Sequence, residues 1–252
     1  MSAVLETRGL TRRFGGVAAV SDLSFAVEEG SVLGVIGPNG AGKSTLIDLI
    51  TGQLKPSEGL VFVDGRDVTG ERPWTIARLR VARTFQIVKP FRNMTVRENV
   101  AIGGMFGSQR ASSARGAIEH ADEALERVGL LDRAEASPGD LSVADARRLE
   151  LAKALSMGPR LLLLDEVMAG LRPGEIQPAL DLIASLKEEG VTVLVVEHVM
   201  KAIMAVSDSL LVMHEGSVLA EGDPETVMKD ERVIEAYLGQ RYAERAKKER
   251  ES

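Results

Sequence analysis

Apolar positions in this chain gather in short unbroken runs, separated by stretches of mixed polarity with helical spacing. SVLGVIG (31–37), LLLLDE (161–166) and VTVLVVEH (191–198) each predict a strand. A helix is expected from about Lys43 to Ile50 and another near GEIQPALDLIASLKEE. Strands alternating with helices predict a largely parallel sheet with crossover helices. LVFVDGRDV (60–68) carries Asp64-Gly65, a hairpin turn signal, and SLLVMHEGSVLAEG (209–222) predicts a second hairpin. From about Met94 to Leu155 the chain is strand-poor, with Ala, Arg and Glu at helical spacing, and predicts an inserted helical subdomain. ETVMKDERVIEAYL predicts one helix, and RYAERAKKERES a mixed-charge tail that is a solvated helix or disordered.

Composition narrows the class. At 252 residues and 44% hydrophobic, the chain is long enough for a real core in one large α/β domain. A net charge of −6 gives no hint of nucleic-acid binding, which usually needs a basic face, and leaves a local basic patch open. The absence of cysteine removes disulfides, thiolate catalysis and thiolate metal sites together. The start, MSAVLETRGLTRRFGG, has no apolar core of a signal peptide, and no apolar run approaches the roughly 20 residues that span a bilayer. A soluble chain is expected, able to dock on a membrane protein.

GPNGAGKST (37–45) supplies the candidate chemistry. It matches G-x-x-x-x-G-K-[ST] through Gly37, Gly42, Lys43 and Ser44, with a strand before and a helix after. Glycines let successive N–H groups curl into an anion nest, and the helix N-terminus adds partial positive charge. Lys43 is placed to bridge the β- and γ-phosphates of a nucleotide, and the Ser44 hydroxyl to ligate Mg²⁺. Ligands of open α/β sheets lie beyond the carboxyl ends of the strands. Asp165 and Glu166 end one apolar run, His198 another, and Gln86 the shorter run VARTFQ. Asp165 is the expected Mg²⁺ ligand, directly or through water. Glu166 is the expected general base. His198 is placed to hydrogen-bond the γ-phosphate, and Gln86 to link metal and water. His120 and His214 read as structural.

Phosphate loop, glutamine, LS…RRLELAKAL, LLLLDE and EH occur in the order that resembles the ATP-binding cassette (ABC) family, over about residues 4 to 240. The resemblance implies an α/β P-loop NTPase with a RecA-like parallel-sheet core, an antiparallel β subdomain and an inserted helical subdomain. One nucleotide-binding domain then covers 1–240, with the core and β subdomain at about 1–88 and 156–240, the helical subdomain at about 89–155, and a charged tail at 241–252. Gly37, Pro38, Asn39, Gly40, Ala41, Gly42, Lys43, Ser44 and Thr45 become the Walker A loop, Gln86 the Q-loop glutamine, and Asp165-Glu166 the end of Walker B. Ala169, Gly170 and Leu171 become the D-loop, His198 the switch histidine, and Phe14 the aromatic that stacks on adenine. VARTFQIVKPFRNMTVRENV and LDEVMAGL are similar to the ATP-binding subunits of branched-chain amino acid importers, although Val167 stands where proline is usual.

That resemblance implies ATP and Mg²⁺ as ligands and a second cassette, itself or a paralogue, as partner. It also implies membrane permease subunits, indirectly a solute-binding protein, no nucleic acid, and a position on the cytoplasmic face of the cell membrane. The docking face is expected around Gln86 to Asn99, with Phe91 and Met94 as candidates. Alternatives are a non-transport ABC ATPase and a catalytically weak regulatory cassette. The second is suggested by LSVAD (141–145), where the family carries LSGGQ. Leu141 and Ser142 match, while Val143, Ala144 and Asp145 depart. Ser142 is expected as the N-cap of a helix and as a contact to the partner's ATP, with Asp145 turned away or bonded to local backbone.

Overall fold

The fold is that of a computed structural model, which describes residues 3–85, 88–106, 113–168, 171 and 173–238. The parallel sheet is built from β3 (Val32–Ile36), β6 (Val81–Arg83), β7 (Leu161–Asp165), β8 (Thr192–Val196), β9 (Ser209–His214) and β10 (Ser217–Gly222). Its strand order is β10-β9-β3-β8-β7-β6, parallel throughout except for the β9–β10 hairpin. A separate antiparallel sheet has the order β2-β1-β4-β5, from β1 (Ala3–Phe14), β2 (Val17–Glu28), β4 (Glu58–Val63) and β5 (Arg66–Asp67). Both predicted hairpins form, and the first turns at Asp64-Gly65.

The unbroken apolar runs have a direct cause: the parallel sheet is buried on both faces. Successive side chains point to opposite sides of a strand. Val32 and Ile36, Leu162 and Leu164, Val193 and Val195 enter one core, with the helical layer. Leu33 and Val35, Leu161 and Leu163, Leu194 and Val196 enter the other, with α1 (Lys43–Ile50) and the antiparallel sheet. Gly34 is required where a helix crosses β3. A Cβ there would lie 2.6 Å from Leu210 Cδ2 and Ser207 Oγ.

A short α2 (Pro73–Ala77) precedes β6. The strand-poor region then forms α3 (Val96–Phe106), α4 (Ala114–Arg127) and α5 (Val143–Leu155), which pack on one another. After β7 come α6 (Pro173–Glu188) and α7 (Met200–Val206). The single helix expected over 225–238 is instead two, α8 (Pro224–Val227) and α9 (Glu231–Leu238). The interruption is local. Lys229 N–H bonds Thr226 O at 3.1 Å and Asp230 N–H bonds Val227 O at 3.2 Å, three residues back, which tightens and ends the first helix. The Asp230 carboxylate then accepts the Arg232 N–H at 2.9 Å, a side-chain cap that starts the second. The charged tail 241–252 lies outside the described residues.

Candidate nucleotide site

Gly37 follows β3 directly, and the loop it opens is shaped by close backbone approach. A Cβ on Gly37 would stand 2.2 Å from Met213 O, and one on Gly42 would stand 2.2 Å from Ala19 O. Gly42 also has φ 100°, which glycine adopts without strain. Ala41 N–H bonds back to Pro38 O at 3.1 Å, while Asn39 and Gly40 form the exposed tip. Gly42 caps α1 without a side-chain acceptor, and the first turn holds no acidic residue. The first N–H groups of α1, at Lys43, Ser44 and Thr45, therefore meet the loop as an uncompensated positive helix end. Ser44 is exposed and Thr45 half-buried. Lys43 folds back over the loop, its Nζ donating to Gly37 O at 2.7 Å and Pro38 O at 3.0 Å. Burial lowers its pKa, and the carboxylates of Glu166 and Asp165 oppose that shift.

Those carboxylates come from the end of β7, beside β3 across β8 in the sheet. Asp165 is buried, its N–H held by Thr84 Oγ1 at 3.1 Å. Burial raises its pKa, while the nearby Arg83 guanidinium, 3.9 Å away, pulls it down. Arg83 ends β6, donates to Asp48 at 2.6 Å and Thr51 at 3.1 Å, and lies over the Phe85 ring at 4.6 Å. A cavity of about 460 Å³ opens among Ser44, Asp48, Arg83 and Asp165. Sequence reasoning missed Arg83. Its signal was a cation at the carboxyl end of a strand, three residues before Gln86.

Among the described residues no three His, Asp or Glu side chains form a metal cage. The oxygen donors of Ser44 and Asp165 fit Mg²⁺ all the same, because Mg²⁺ typically takes one or two carboxylates and completes its shell with phosphate oxygens and water.

Glu166 sits at φ 51°, a left-handed conformation that costs an L-residue about 1–2 kcal/mol. Its N–H bonds Val196 O at 2.9 Å, and its carbonyl accepts from Arg147 of α5. One turn on, Met168 N–H donates to the buried Glu197 at 2.7 Å. His198, exposed at the end of β8, follows directly. Lys43, Ser44, Asp165, Glu166 and His198 thus all stand at carboxyl ends of adjacent parallel strands or in the loop beyond them. Phe14 ends β1, is 46% exposed, and carries the Arg12 guanidinium 4.7 Å over its ring. Gln86, Ala169 and Gly170 lie outside the described residues, while Leu171 packs half-buried against the core.

Leu141 to Asp145 form the start of α5, and none of them lines the Ser44–Asp165 cavity. Ser142 is the N-cap as expected, its Oγ accepting from Asp145 N–H at 3.1 Å. The Asp145 carboxylate accepts the Ser142 hydroxyl at 2.8 Å and Arg148 at 3.4 Å, side-chain partners in place of the local backbone. Leu141 is half-buried, and Val143 is 74% exposed.

The loop before α3 exposes Phe91 and Met94. It is pinned from below by Asn99, fully buried, which accepts the Phe91 N–H at 2.8 Å and donates to the carbonyls of Phe91, Met94 and Thr95.

Comparison with known proteins agrees with this geometry. A family model described as ABC transporter matches residues 20–169, and one described as branched-chain amino acid ATP-binding cassette transporter matches 217–243. The high-affinity branched-chain amino acid transport ATP-binding protein BraF of Pseudomonas aeruginosa is 42% identical over 250 residues, covering 94% of this chain and 98% of that protein. The corresponding LivG of Escherichia coli is 38% identical over 252 residues, with the same coverage. A crystal structure of a nucleotide-free ATP-binding cassette from an ABC transporter superposes with a TM-score of 0.85 at 32% identity, covering 95% of this chain and all of that one. Matched by that family model over residues 20–169 and by relatives of 38–42% identity along nearly its whole length, the chain belongs to the ABC transporter family of ATP-binding cassettes.

Proposed function

We propose that this protein is the ATP-binding and ATP-hydrolysing subunit of an importer for branched-chain amino acids or a related small polar solute. The observation that carries the reading is the phosphate loop beyond β3, with Lys43 folded over it and Ser44 lining one cavity with Asp165 from the end of β7. In this reading the N–H groups of Gly40 to Thr45 and the Lys43 ammonium hold the phosphates, and Phe14 stacks on the adenine. Ser44, Gln86 and Asp165 would hold Mg²⁺, which would supply charge neutralisation on the phosphates. The Glu166 carboxylate takes the proton of the attacking water, and His198 orients the transferred phosphoryl group.

In this reading Leu141 to Asp145, at the start of α5 and outside the Ser44 cavity, serve the nucleotide of a second cassette, this chain or a paralogue. Residues 1–240 act as one nucleotide-binding domain, α3 to α5 as its helical subdomain, and 241–252 as a tail. Exposed Phe91 and Met94 form the face that receives integral permease subunits. Through them the protein sits on the cytoplasmic side of the cell membrane and serves a solute-binding protein indirectly. Names of relatives that are 38–42% identical support the amino acid class of cargo.

A second reading, a catalytically weak regulatory cassette, draws on one observation. The Ser142 hydroxyl is already bonded to Asp145 and is not free for a phosphate. Glu166→Gln separates the two readings. It is expected to abolish hydrolysis, to keep ATP binding, and to give an ATP-dependent dimer by size exclusion with light scattering. Absence of wild-type ATP turnover, alone and with permease subunits, would favour the regulatory reading.

A further inference from the structure

Glu166 holds a left-handed backbone that only its surroundings can maintain. Bonds from the sheet and from the helical layer hold the turn. Glu166 N–H goes to Val196 O at 2.9 Å, Met168 N–H to Glu197 Oε1 at 2.7 Å, and Arg147 donates to Glu166 O. The first two anchors belong to β8 and the residue after it, within the same rigid sheet. Arg147 comes from α5, in the helical layer. Between α5, the end of α4 and α6 lies a cleft of about 300 Å³, and Arg147, Val167 and Leu171 share its lining. The helix and the Glu166 turn are thus partly separated by open space, which the guanidinium bridges.

The same helix begins at Ser142, just over one turn before Arg147. We infer that Arg147 is a positioning residue that couples the start of α5 to the backbone of Glu166, so that engagement of α5 by a partner's nucleotide sets the catalytic carboxylate of this chain's own site. The inference rests on the proposed function, since it needs α5 to meet ATP across a dimer. Its physical content is simple. A helix shifted by an anion at its N-terminus carries Arg147 with it, and the Glu166 carbonyl follows because a charged donor holds it. A small displacement at a general base is costly to rate and cheap to binding. Arginine suits the task because its rigid planar fork transmits direction, whereas lysine offers a flexible point charge.

The test uses the full-length chain as wild type, Arg147→Ala and Arg147→Lys. ATP turnover is measured against ATP concentration, nucleotide affinity by a fluorescent ATP analogue, and folding by thermal melting. Arg147→Ala is expected to lower kcat by about tenfold, to leave KM and nucleotide affinity within about twofold, and to reduce the Hill coefficient toward one. Arg147→Lys is expected to recover a substantial part of kcat. A kcat within about twofold of wild type in both variants overturns the inference. So does a loss in which kcat, affinity and melting temperature fall together and lysine restores none of them, because that pattern marks a merely structural arginine. Should the alanine variant fail to fold, the lysine and an Arg147→Gln variant read the same kcat-against-KM split. If wild-type protein does not turn over ATP at all, the proposed function fails and this inference falls with it. If wild type turns over and the variants match it, only the inference fails.

Discussion

Glu197 directly precedes His198 and holds the turn that follows Glu166, but plays no part in the chemistry drawn above. It is 1% exposed, with one carboxylate oxygen holding Met168 N–H and the other without a partner among the described residues. Burial raises its pKa first and foremost, the Met168 N–H works against that, and the neighbouring Glu166 carboxylate adds to it. A raised carboxyl binds its proton more tightly folded than unfolded. Its contribution to stability is therefore full below the ordinary glutamate value of 4.5 and is lost as pH rises through the higher folded value. Glu197→Gln keeps an acceptor for Met168 and removes the ionisation. Its melting temperature is expected to exceed that of wild type at pH 8 by more than it does at pH 5. At this chain length about 1 kcal/mol moves Tm by about 2–4 °C, so differential melting at the two pH values decides the matter. Lys43, Asp165 and Glu166 were legible from spacing alone, because a phosphate loop and strand-end carboxylates leave a local pattern. Glu197 and Arg147 were not, because each acts on a residue distant in sequence, and Arg83 left only a cation at a strand end, with nothing local to name Asp165 as its partner.

Two helix starts show how one carbon changes an element. At α3, Thr95 Oγ1 accepts from Glu98 N–H at 3.1 Å, and the Glu98 carboxylate returns to Thr95 N–H at 2.8 Å, a complete capping box. At α5, Ser142 accepts from Asp145 N–H, but Asp145 is a methylene shorter and bonds the serine hydroxyl instead of the backbone. The pairing of Ser142 with Asp145 was readable in the sequence, and the direction of the carboxylate was not. The consequence is testable at the level of the helix. Asp145→Ala keeps the Ser142 cap, frees the hydroxyl and removes a negative charge near the expected phosphate. In the Glu166→Gln background it is expected to tighten the ATP-driven dimer by about tenfold, about 1.4 kcal/mol, read by light scattering across a dilution series. An unchanged or weaker dimer would show that Asp145 is a useful part of the altered signature.

Over the whole molecule, one sheet separates two cores, the candidate site residues gather at its carboxyl edge, and the helical layer packs into one of the two cores. Phe91 and Met94 face outward on a loop that Asn99 locks, so their exposure is not a sign of looseness. Core packing does not account for either side chain. Phe91→Asp is expected to cut co-purification of this protein with its membrane permease by about tenfold or more, since charge in the buried centre of an interface is heavily penalised. A melting temperature equal to that of wild type checks that the change acts at the interface.

The sequence by itself determined the alternation of parallel strands and helices, the two hairpins, the phosphate loop, the carboxylates at the end of β7 and the capped start of α5. Each of these is written in neighbouring residues, through periodicity, glycine placement or a side chain that bonds its own turn. Only the tertiary structure decided which face of each apolar strand meets which core, that the last predicted helix breaks at Asp230, and that Arg83 stands over Asp165. It alone also tied Arg147 of α5 to Glu166 at the end of β7. Those outcomes depend on contacts between segments far apart in the chain, or on competition between a side chain and the backbone for one hydrogen bond, and no local pattern encodes their result.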